Sequence, residues 1–381
     1  MRLSTSAFLL ALTLAGTVEG FFPSLNNNAA ATNTKLVDDV SFVPPDTTEI
    51  LEDACRDTAA RMKRVKVPVS AAISPKDGQV GISYVHWPAV AKKKNLPPVV
   101  LVHGFDSSCL EYRRLGSRLA AQGVDVYAVD ILGWGYTQLE DVTDFSAAAK
   151  VEALQSFVNT VIGEQAPYCV AGASLGGAAA IELAASSSSG GACQGLILID
   201  AQGFVDGVGP MAALPKFLAQ AGVAVLKSVP LRSSANQMSY FDKETYATDD
   251  ALAIGRLHCV QQGDLWSDAM VSFMKSGGFS PSAKVPTIDM PALVLWGRQD
   301  GILDGEEFAN KFVQTLPNAE LKWIEECGHV PHLEQPDVTA EAIEEFLSSK
   351  VAGSSSSEKQ QQNGSPTDAL AEAASKLFQF N

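Results

Sequence analysis

The chain has 381 residues, 46% of them hydrophobic, and is long enough to bury a substantial core in one large domain or two smaller ones. Its formal net charge of −15 disfavours nucleic acid as a partner, because an acidic chain repels phosphate groups. The same charge makes an anionic membrane a poor partner for the chain as a whole and is otherwise typical of a soluble protein.

The first 36 residues resemble a targeting presequence rather than part of a folded domain. A basic start precedes the apolar run from Ala7 to Gly16, which indicates a secretory signal peptide over residues 1–20 and is too short to predict a membrane anchor. Residues 21–36 are rich in Asn, Thr and Ala, like a transit peptide. This order resembles the bipartite presequences of algae whose plastids lie inside the endomembrane system. We therefore predict a plastid location, with secretion as the alternative and no integral membrane segment in the mature chain.

Two further features are not expected to carry chemistry. Residues 351–381 are rich in Ser and Gln and of low complexity, so we predict a disordered tail. The six cysteines include no C-x-x-C pair and fit no zinc spacing. Their scatter over a large domain favours buried free thiols over disulfides.

Residues 61–350 have the pattern of one α/β domain. Two early strand-like stretches, residues 64–73 and 79–87, are followed by short apolar runs that alternate with helical stretches. The predicted strands are Pro98–Val102, which has the pattern of a fully buried strand, Val124–Val129, Tyr168–Ala173, Leu196–Ile199, Ala292–Trp296 and Leu321–Ile324. Continuously apolar strands between helices are typical of a parallel sheet covered on both faces, so we predict a three-layer, doubly wound, mostly parallel sheet. Ligands of such sheets bind beyond the carboxyl ends of the strands.

The stretch from Gln202 to Pro286 interrupts this alternation. A structureless loop of that length is improbable in a compact domain, and residues 211–229 and 250–260 have helical, apolar patterns. We therefore predict an inserted helical cap at residues 202–286, over the strand ends. Its large apolar side chains suggest an acyl or isoprenoid substrate, but any cap must also bury one face of its helices, so no substrate is named. These side chains are Phe217, Leu218, Trp266 and Phe273.

The candidate nucleophile is Ser174, in the sequence Gly172-Ala173-Ser174-Leu175-Gly176. This is a G-x-S-x-G nucleophile elbow in its required context, because a buried strand precedes it and an alanine-rich helix follows it. The two glycines remove Cβ atoms that would clash with neighbouring backbone. The strained turn presents the serine at the strand end, above the positive end of the helix dipole.

An acylating serine needs a general base and an acid that orients the base. His329 follows the last predicted strand, and the glycine before it lets the loop turn inward; His332 is the main alternative among the five histidines. Asp300 lies in the turn after the penultimate strand, where its carboxylate can accept a hydrogen bond from the imidazole. Asp304 and Asp200 remain alternatives. The chain order serine, aspartate, histidine is the order expected for this kind of elbow.

Two backbone N–H groups are expected to stabilise the oxyanion of the tetrahedral intermediate. One belongs to Leu175, the residue after the nucleophile. The other is expected from Phe105, in the loop after the strand Pro98–Val102, where Gly104 lets the backbone approach the substrate closely.

These motifs resemble those of the α/β-hydrolase superfamily, in the capped branch shared by epoxide hydrolases, dehalogenases and many small esterases. The matching segments are VLVHGFDSS (100–108), VDILGWGYT (129–137), GASLGG (172–177), LWGRQD (295–300) and CGHVPHLEQP (327–336). The chain is most similar to uncharacterised plastid-type members of plants and algae. The resemblance implies the triad and oxyanion roles at the positions already named.

Two departures from the branch narrow the expected activity. Epoxide hydrolases and dehalogenases attack with an aspartate, whereas this chain has Ser174 there. The loop at Phe105 lacks the glycine-rich run of many lipases, which favours a small-ester hydrolase over a triacylglycerol lipase.

We therefore expect a serine hydrolase that cleaves a carboxylic ester or thioester of a small, apolar molecule through an acyl-enzyme. Neither a metal nor an organic cofactor is implied, and the sequence does not indicate the oligomeric state. One alternative is a ligand-binding sensor protein with low turnover. The other is a triad enzyme that is not a hydrolase, such as a lyase or a perhydrolase, because the fold does not choose among these activities.

Overall fold

A computed structural model of the chain describes residues 50–93, 96–187 and 192–352. The predicted presequence and nearly all of the predicted tail lie outside these ranges. Helix α1 (Asp53–Ala59) comes before Arg61, where we predicted the domain to begin, and the described part ends in a helical turn at Leu347–Val351. Cys55 in helix α1 is fully buried, so this helix packs as part of the domain.

Eight strands form one sheet. They are β1 (Met62–Pro68), β2 (Gln79–Trp87), β3 (Val99–Val102), β4 (Val126–Val129), β5 (Tyr168–Ala173), β6 (Cys193–Ile199), β7 (Ala292–Gly297) and β8 (Ala319–Ile324). Their order across the sheet is β1-β2-β4-β3-β5-β6-β7-β8. Strand β2 runs antiparallel to β1 and β4, and every other neighbouring pair is parallel. The predicted doubly wound, mostly parallel sheet is confirmed.

Helices cover both faces of the sheet. Those outside the cap are α2 (Leu115–Ala121), α3 (Ala147–Val158), α4 (Leu175–Ser187), α9 (Gly305–Thr315), α10 (Pro331–Glu334) and α11 (Pro336–Phe346). The helical stretch after β3 consists of a 3-10 turn at Cys109–Tyr112 followed by α2. The buried Tyr112 donates its hydroxyl hydrogen to the Val102 carbonyl at 2.8 Å, which holds the turn against β3.

The strands supply alternate residues to two apolar cores, one on each face of the sheet. Val100 and Val102 of β3 face the core under α3, α4 and the cap, whereas Val99 and Leu101 face the core under α2 and α11. All four side chains are fully buried. This two-sided burial explains why β3 reads as a continuous apolar run.

The segment between β6 and β7, called the cap (residues 202–286), carries four α-helices. They are α5 (Lys216–Leu226), α6 (Val229–Ser239), α7 (Lys243–Tyr246) and α8 (Asp249–Lys275). Helix α8 is kinked at Gly263, whose φ of 53° and ψ of −119° are not helical. Among the described helices, none has both the length and the apolar character needed to cross a bilayer. All six cysteines lie in the described ranges, and each is free and buried.

The strand order reverses between β3 and β5, which are neighbours although β4 lies between them in sequence. Such a reversal opens a crevice beyond the carboxyl ends of the two strands, because their connections leave in opposite directions. The loop after β3 contains Phe105, and the turn after β5 contains Ser174. The topology therefore brings the two predicted parts of one reaction centre together.

Candidate active site

Ser174 occupies a strained turn between β5 and α4. Its φ is 50°, in the left-handed region that residues with a Cβ atom rarely adopt. A Cβ atom on Gly172 would lie 2.2 Å from the Gly176 carbonyl oxygen, and one on Gly176 would lie 2.2 Å from the Val102 carbonyl oxygen. The elbow therefore requires both glycines, as the motif predicts.

His329 and Asp300 meet at the carboxyl end of the sheet. His329 Nδ1 lies 2.8 Å from Asp300 Oδ2, and both side chains are almost completely buried. The other oxygen, Asp300 Oδ1, accepts hydrogen bonds from the backbone N–H groups of Ile302 and Leu303. The carboxylate is thus fixed by backbone N–H groups through one oxygen and can orient the imidazole through the other.

The alternative residues occupy different environments. Asp304 is exposed and caps α9, where it accepts a hydrogen bond from the Glu307 N–H at 3.3 Å. His332 Nε2 lies 3.2 Å from Glu111 Oε1, and its ring packs against Tyr112. Of the three candidate acids, Asp300 is the one whose carboxylate contacts His329.

Asp200, the third candidate acid, is completely buried beside the pair. Its Oδ1 accepts a hydrogen bond from the Gly297 N–H at 3.0 Å, and one polar atom from each of Asp200, Asp300 and His329 lies within 4.8 Å of the others. Burial, and then the negative charge of Asp300, raises the pKa of Asp200 well above its usual value.

Two glycines set the contact between the acid loop and the histidine loop. A Cβ atom on Gly297 would lie 1.9 Å from the Gly328 carbonyl oxygen. A Cβ atom on Gly328 would in turn lie 2.4 Å from the Ser239 carbonyl oxygen in the cap, which accepts a hydrogen bond from the His329 N–H at 2.8 Å. Gly328 therefore allows close packing against the cap, in addition to the loop freedom that the sequence suggested.

Glu334 ties the histidine loop to the cap. Its buried carboxylate accepts hydrogen bonds from the N–H groups of Gly328 at 2.7 Å, Phe241 at 3.1 Å and Asp242 at 2.7 Å. Three N–H donors stabilise the charged form of a buried carboxylate. The position of His329 thus depends on the cap as well as on the sheet.

The loop after β3 lies against the nucleophile. A Cβ atom on Gly104 would be only 3.4 Å from Ser174 Cβ, which shows how closely the two backbones approach. The Gly104 N–H is already used, because it points at both oxygens of Glu111 at 3.2 Å. Although burial alone would raise it, the hydrogen bond and charge of His332 lower the pKa of Glu111 to about 2. The next N–H along the chain, that of Phe105, remains the predicted oxyanion donor.

Asp106 joins the same loop to the cap. It has a φ of 48°, and its buried carboxylate receives His258 Nε2 at 2.9 Å, Trp266 Nε1 at 2.7 Å and the guanidinium of Arg232. Burial opposes its ionisation, but the charges of Arg232 and His258 hold the pKa of Asp106 below its usual value. Three cap side chains therefore hold the residue that follows Phe105.

A cavity of about 300 Å³ lies between the cap and the strand ends. It is lined by Phe105, Ser174 and His329 from the sheet side, together with cap residues. Its lining is mostly apolar, with contributions from Leu226, Leu231, Leu252, Ile254 and Leu333.

The structure corrects the suggestion that four large cap side chains contact an apolar substrate. Trp266 and Phe273 are buried in the core, Phe217 and Leu218 are exposed, and none of the four lines this cavity. Apolar composition alone could not separate these locations, because helix orientation decides which face is buried.

Several residues of this centre were not singled out in the sequence. Glu334 lies within the segment CGHVPHLEQP, and Asp106 directly follows Phe105, but their partners come from the cap. The sequence held one signal for them, since both are acidic residues inside segments that resemble hydrolase motifs. Their partners are 92 to 160 residues away in the chain, at separations that no local pattern reports.

Comparisons with known proteins agree with this geometry. A model of the alpha/beta hydrolase family matches residues 99–342. The chain is 35% identical over 311 residues to alpha/beta hydrolase domain-containing protein VTE7 of Arabidopsis thaliana. The aligned region covers 82% of this chain and 91% of that protein. It is 26% identical over 257 residues to Lipase 1 of Psychrobacter immobilis, covering 66% of this chain and 77% of the lipase.

Solved structures show the same fold. A thermophilic esterase from Thermogutta terrifontis superposes with a TM-score of 0.61 at 21% identity, covering 76% of this chain and 99% of the esterase. The matching family model and a relative named as a lipase support a hydrolytic activity. Because the family model spans most of the sheet and the cap, the chain belongs to the alpha/beta hydrolase family.

Proposed function

We propose that the chain is a serine hydrolase that cleaves a carboxylic ester or thioester of a small, apolar molecule. One observation carries the proposal: the strained Ser174 and the hydrogen-bonded pair His329–Asp300 open into the same cavity. A serine held in a strained elbow beside an oriented histidine is the arrangement that acyl transfer requires.

The reaction follows a two-step acyl-enzyme route. His329 Nε2 takes the hydroxyl proton as Ser174 Oγ attacks the carbonyl carbon, while Asp300 holds the Nδ1 proton. The N–H groups of Phe105 and Leu175 stabilise the oxyanion. The histidine then returns its proton to the leaving alcohol or thiol, and the acyl–serine bond remains. Water, deprotonated by the same histidine, adds to the acyl carbon and releases the acid.

The cavity supports an apolar substrate of limited size. A volume of about 300 Å³ lies at the lower end of the range found for small-molecule sites. The exposed surface of the lining is mostly apolar and includes leucine and isoleucine side chains, so burying an apolar group of the substrate there is favourable. We expect activity to rise with acyl or alkyl length until the cavity is filled.

A fluorophosphonate probe and a graded ester series test this proposal. Wild-type protein should be labelled at Ser174 and hydrolyse short and medium esters, whereas the S174A variant should do neither. The S156A variant is a matched control, since Ser156 is buried in α3, donates its hydroxyl hydrogen to the Pro68 carbonyl and does not line the cavity. Folded wild-type protein that resists the probe contradicts the proposal. If the protein is labelled and stabilised by ligands against heat but shows negligible turnover, it is a ligand sensor. If it turns over cyanohydrins or peroxide, it is a non-hydrolytic enzyme.

We also propose a plastid location. A plant relative, the Arabidopsis thaliana protein VTE7, is compatible with it. Residues 1–36 fused to a fluorescent protein should direct it to the plastid of a complex-plastid alga, and fluorescence in the culture medium would indicate secretion instead.

A further inference from the structure

The outer face of the cap carries an exposed apolar surface at the start of α5 and α6. Phe217, Leu218 and Val229 are 67%, 44% and 46% exposed. Ala221 and Ala224 are also exposed and lie four and seven residues after Phe217, on the same side of α5. The opposite side is buried through Ala219, Val223 and Leu226. We call the five exposed residues Phe217, Leu218, Ala221, Ala224 and Val229 the cap surface.

The chain around the cap surface has a local charge opposite to that of the whole protein. Between Gly207 and Phe241 the sequence has no Asp or Glu, but it contains Lys216, Lys227 and Arg232, in a chain of net charge −15. Arg232 is paired with Asp106 inside the cap, and Lys216 is exposed beside Phe217. The cap surface is therefore apolar, with a basic edge, within an otherwise acidic molecule.

The helices that carry the cap surface also border the proposed substrate cavity. Leu226 at the end of α5 and Leu231 in α6 line the cavity, while Phe217 and Val229 of the same helices are exposed. Two short helices thus present one apolar side to the cavity and another to the surroundings.

We propose that the cap surface docks on an anionic lipid bilayer. Some helices lie in the plane of the membrane interface, where their apolar side chains enter the acyl boundary by roughly 5–10 Å. Exposed Phe and Leu side chains at the end of a helix, with a lysine beside them, are typical of such a helix. The net charge of the whole chain opposes such contact, but attraction and repulsion act within a Debye length of about 8 Å, so the local basic segment dominates at the membrane. Docking does not depend on the proposed chemistry, because it can be measured on the S174A variant.

Vesicle flotation of the full chain tests this docking. Vesicles of phosphatidylglycerol mixed with an equal amount of phosphatidylcholine should carry wild-type protein, and pure phosphatidylcholine should carry less. The F217S/L218S variant should partition at least about tenfold more weakly, because two half-exposed apolar side chains no longer leave water. The V313S/V338S variant is the control, since Val313 and Val338 are 36% and 40% exposed outside the cap. Equal partitioning of wild-type and F217S/L218S protein overturns the proposal, because binding then comes from another part of the chain.

A reporter at the cap surface gives a direct second readout. All six native cysteines are buried, so an environment-sensitive thiol dye should react selectively with the F217C variant and with the V338C control. Anionic vesicles should shift the emission of the dye at position 217 to the blue and leave the dye at position 338 unchanged. No shift at position 217 overturns the proposal. A shift that grows with protein concentration in the absence of vesicles shows that a second copy of the chain covers the cap surface, which also overturns it.

Discussion

Replacing Asp106 by alanine should loosen the cap from the rest of the domain. In the native protein one buried carboxylate receives Arg232, His258 and Trp266, all from the cap. The D106A variant leaves these donors without their acceptor. Removing one partner of a buried ion pair typically destabilises a protein by about 3–5 kcal/mol. The Arg232 side chain keeps 15% exposure and also donates to the Leu226 and Gly255 carbonyls, so we expect the lower end, about 3 kcal/mol.

Urea unfolding measures this loss, and the D206A variant is the matched control. Asp206 is an exposed cap carboxylate that accepts a hydrogen bond from the Ser282 N–H at 3.1 Å, so its loss should change the unfolding free energy by no more than about 1 kcal/mol. The D106N variant keeps an acceptor oxygen without the charge, so its unfolding free energy should lie between those of D106A and D206A. Ester turnover by D106A should also fall, by less than the roughly 10²–10³-fold that loss of an oxyanion donor produces, because the Phe105 N–H is displaced rather than removed. Equal unfolding free energies for D106A and D206A would refute the inference that Asp106 holds the cap.

Three further predictions concern the orienting acid, the loop contact at Gly297 and the buried Lys150. The D300N variant should lose on the order of 10⁴-fold in kcat, as loss of the orienting acid does in serine proteases, whereas D304N should keep both its activity and its stability, because asparagine caps a helix about as well as aspartate does; steady-state kinetics and urea unfolding check both variants. The G297A variant should lose turnover and stability together, because its Cβ atom would lie 1.9 Å from the Gly328 carbonyl oxygen and displace the histidine loop; a wild-type pH–rate profile and melting temperature would contradict this. Burial lowers the pKa of Lys150 from 10.5 to about 7, so the unfolded chain binds more protons at this group between these values, and the stability of the wild type relative to K150M should rise with pH across that interval. Urea unfolding of both proteins measures this difference, and parallel pH curves would show that Lys150 is not the titrating group.

The sequence allowed the fold and the chemical side chains to be predicted because both have local signals. An apolar run such as β3 can be buried on both faces only in a covered sheet, and G-x-S-x-G between a strand and a helix has few other uses. The candidate acid was less certain, since Asp200, Asp300 and Asp304 all follow strands of the same sheet. Their backbone positions are similar in sequence terms, and the hydrogen bond from His329 to Asp300 distinguishes them only in three dimensions.

By itself, the sequence determined where the strands and the elbow lie and which residues could carry a proton. Only the tertiary structure decided that Glu334 and Asp106 join the cap to the candidate active site, that Asp200 is completely buried beside the His329–Asp300 pair, and that Phe217 faces outward while Trp266 is buried. The physical reason is the separation along the chain between the residues that produce each feature. Strand burial and elbow strain arise within a few residues, whereas a charge pair or a helix orientation depends on segments that approach each other only after the chain has folded.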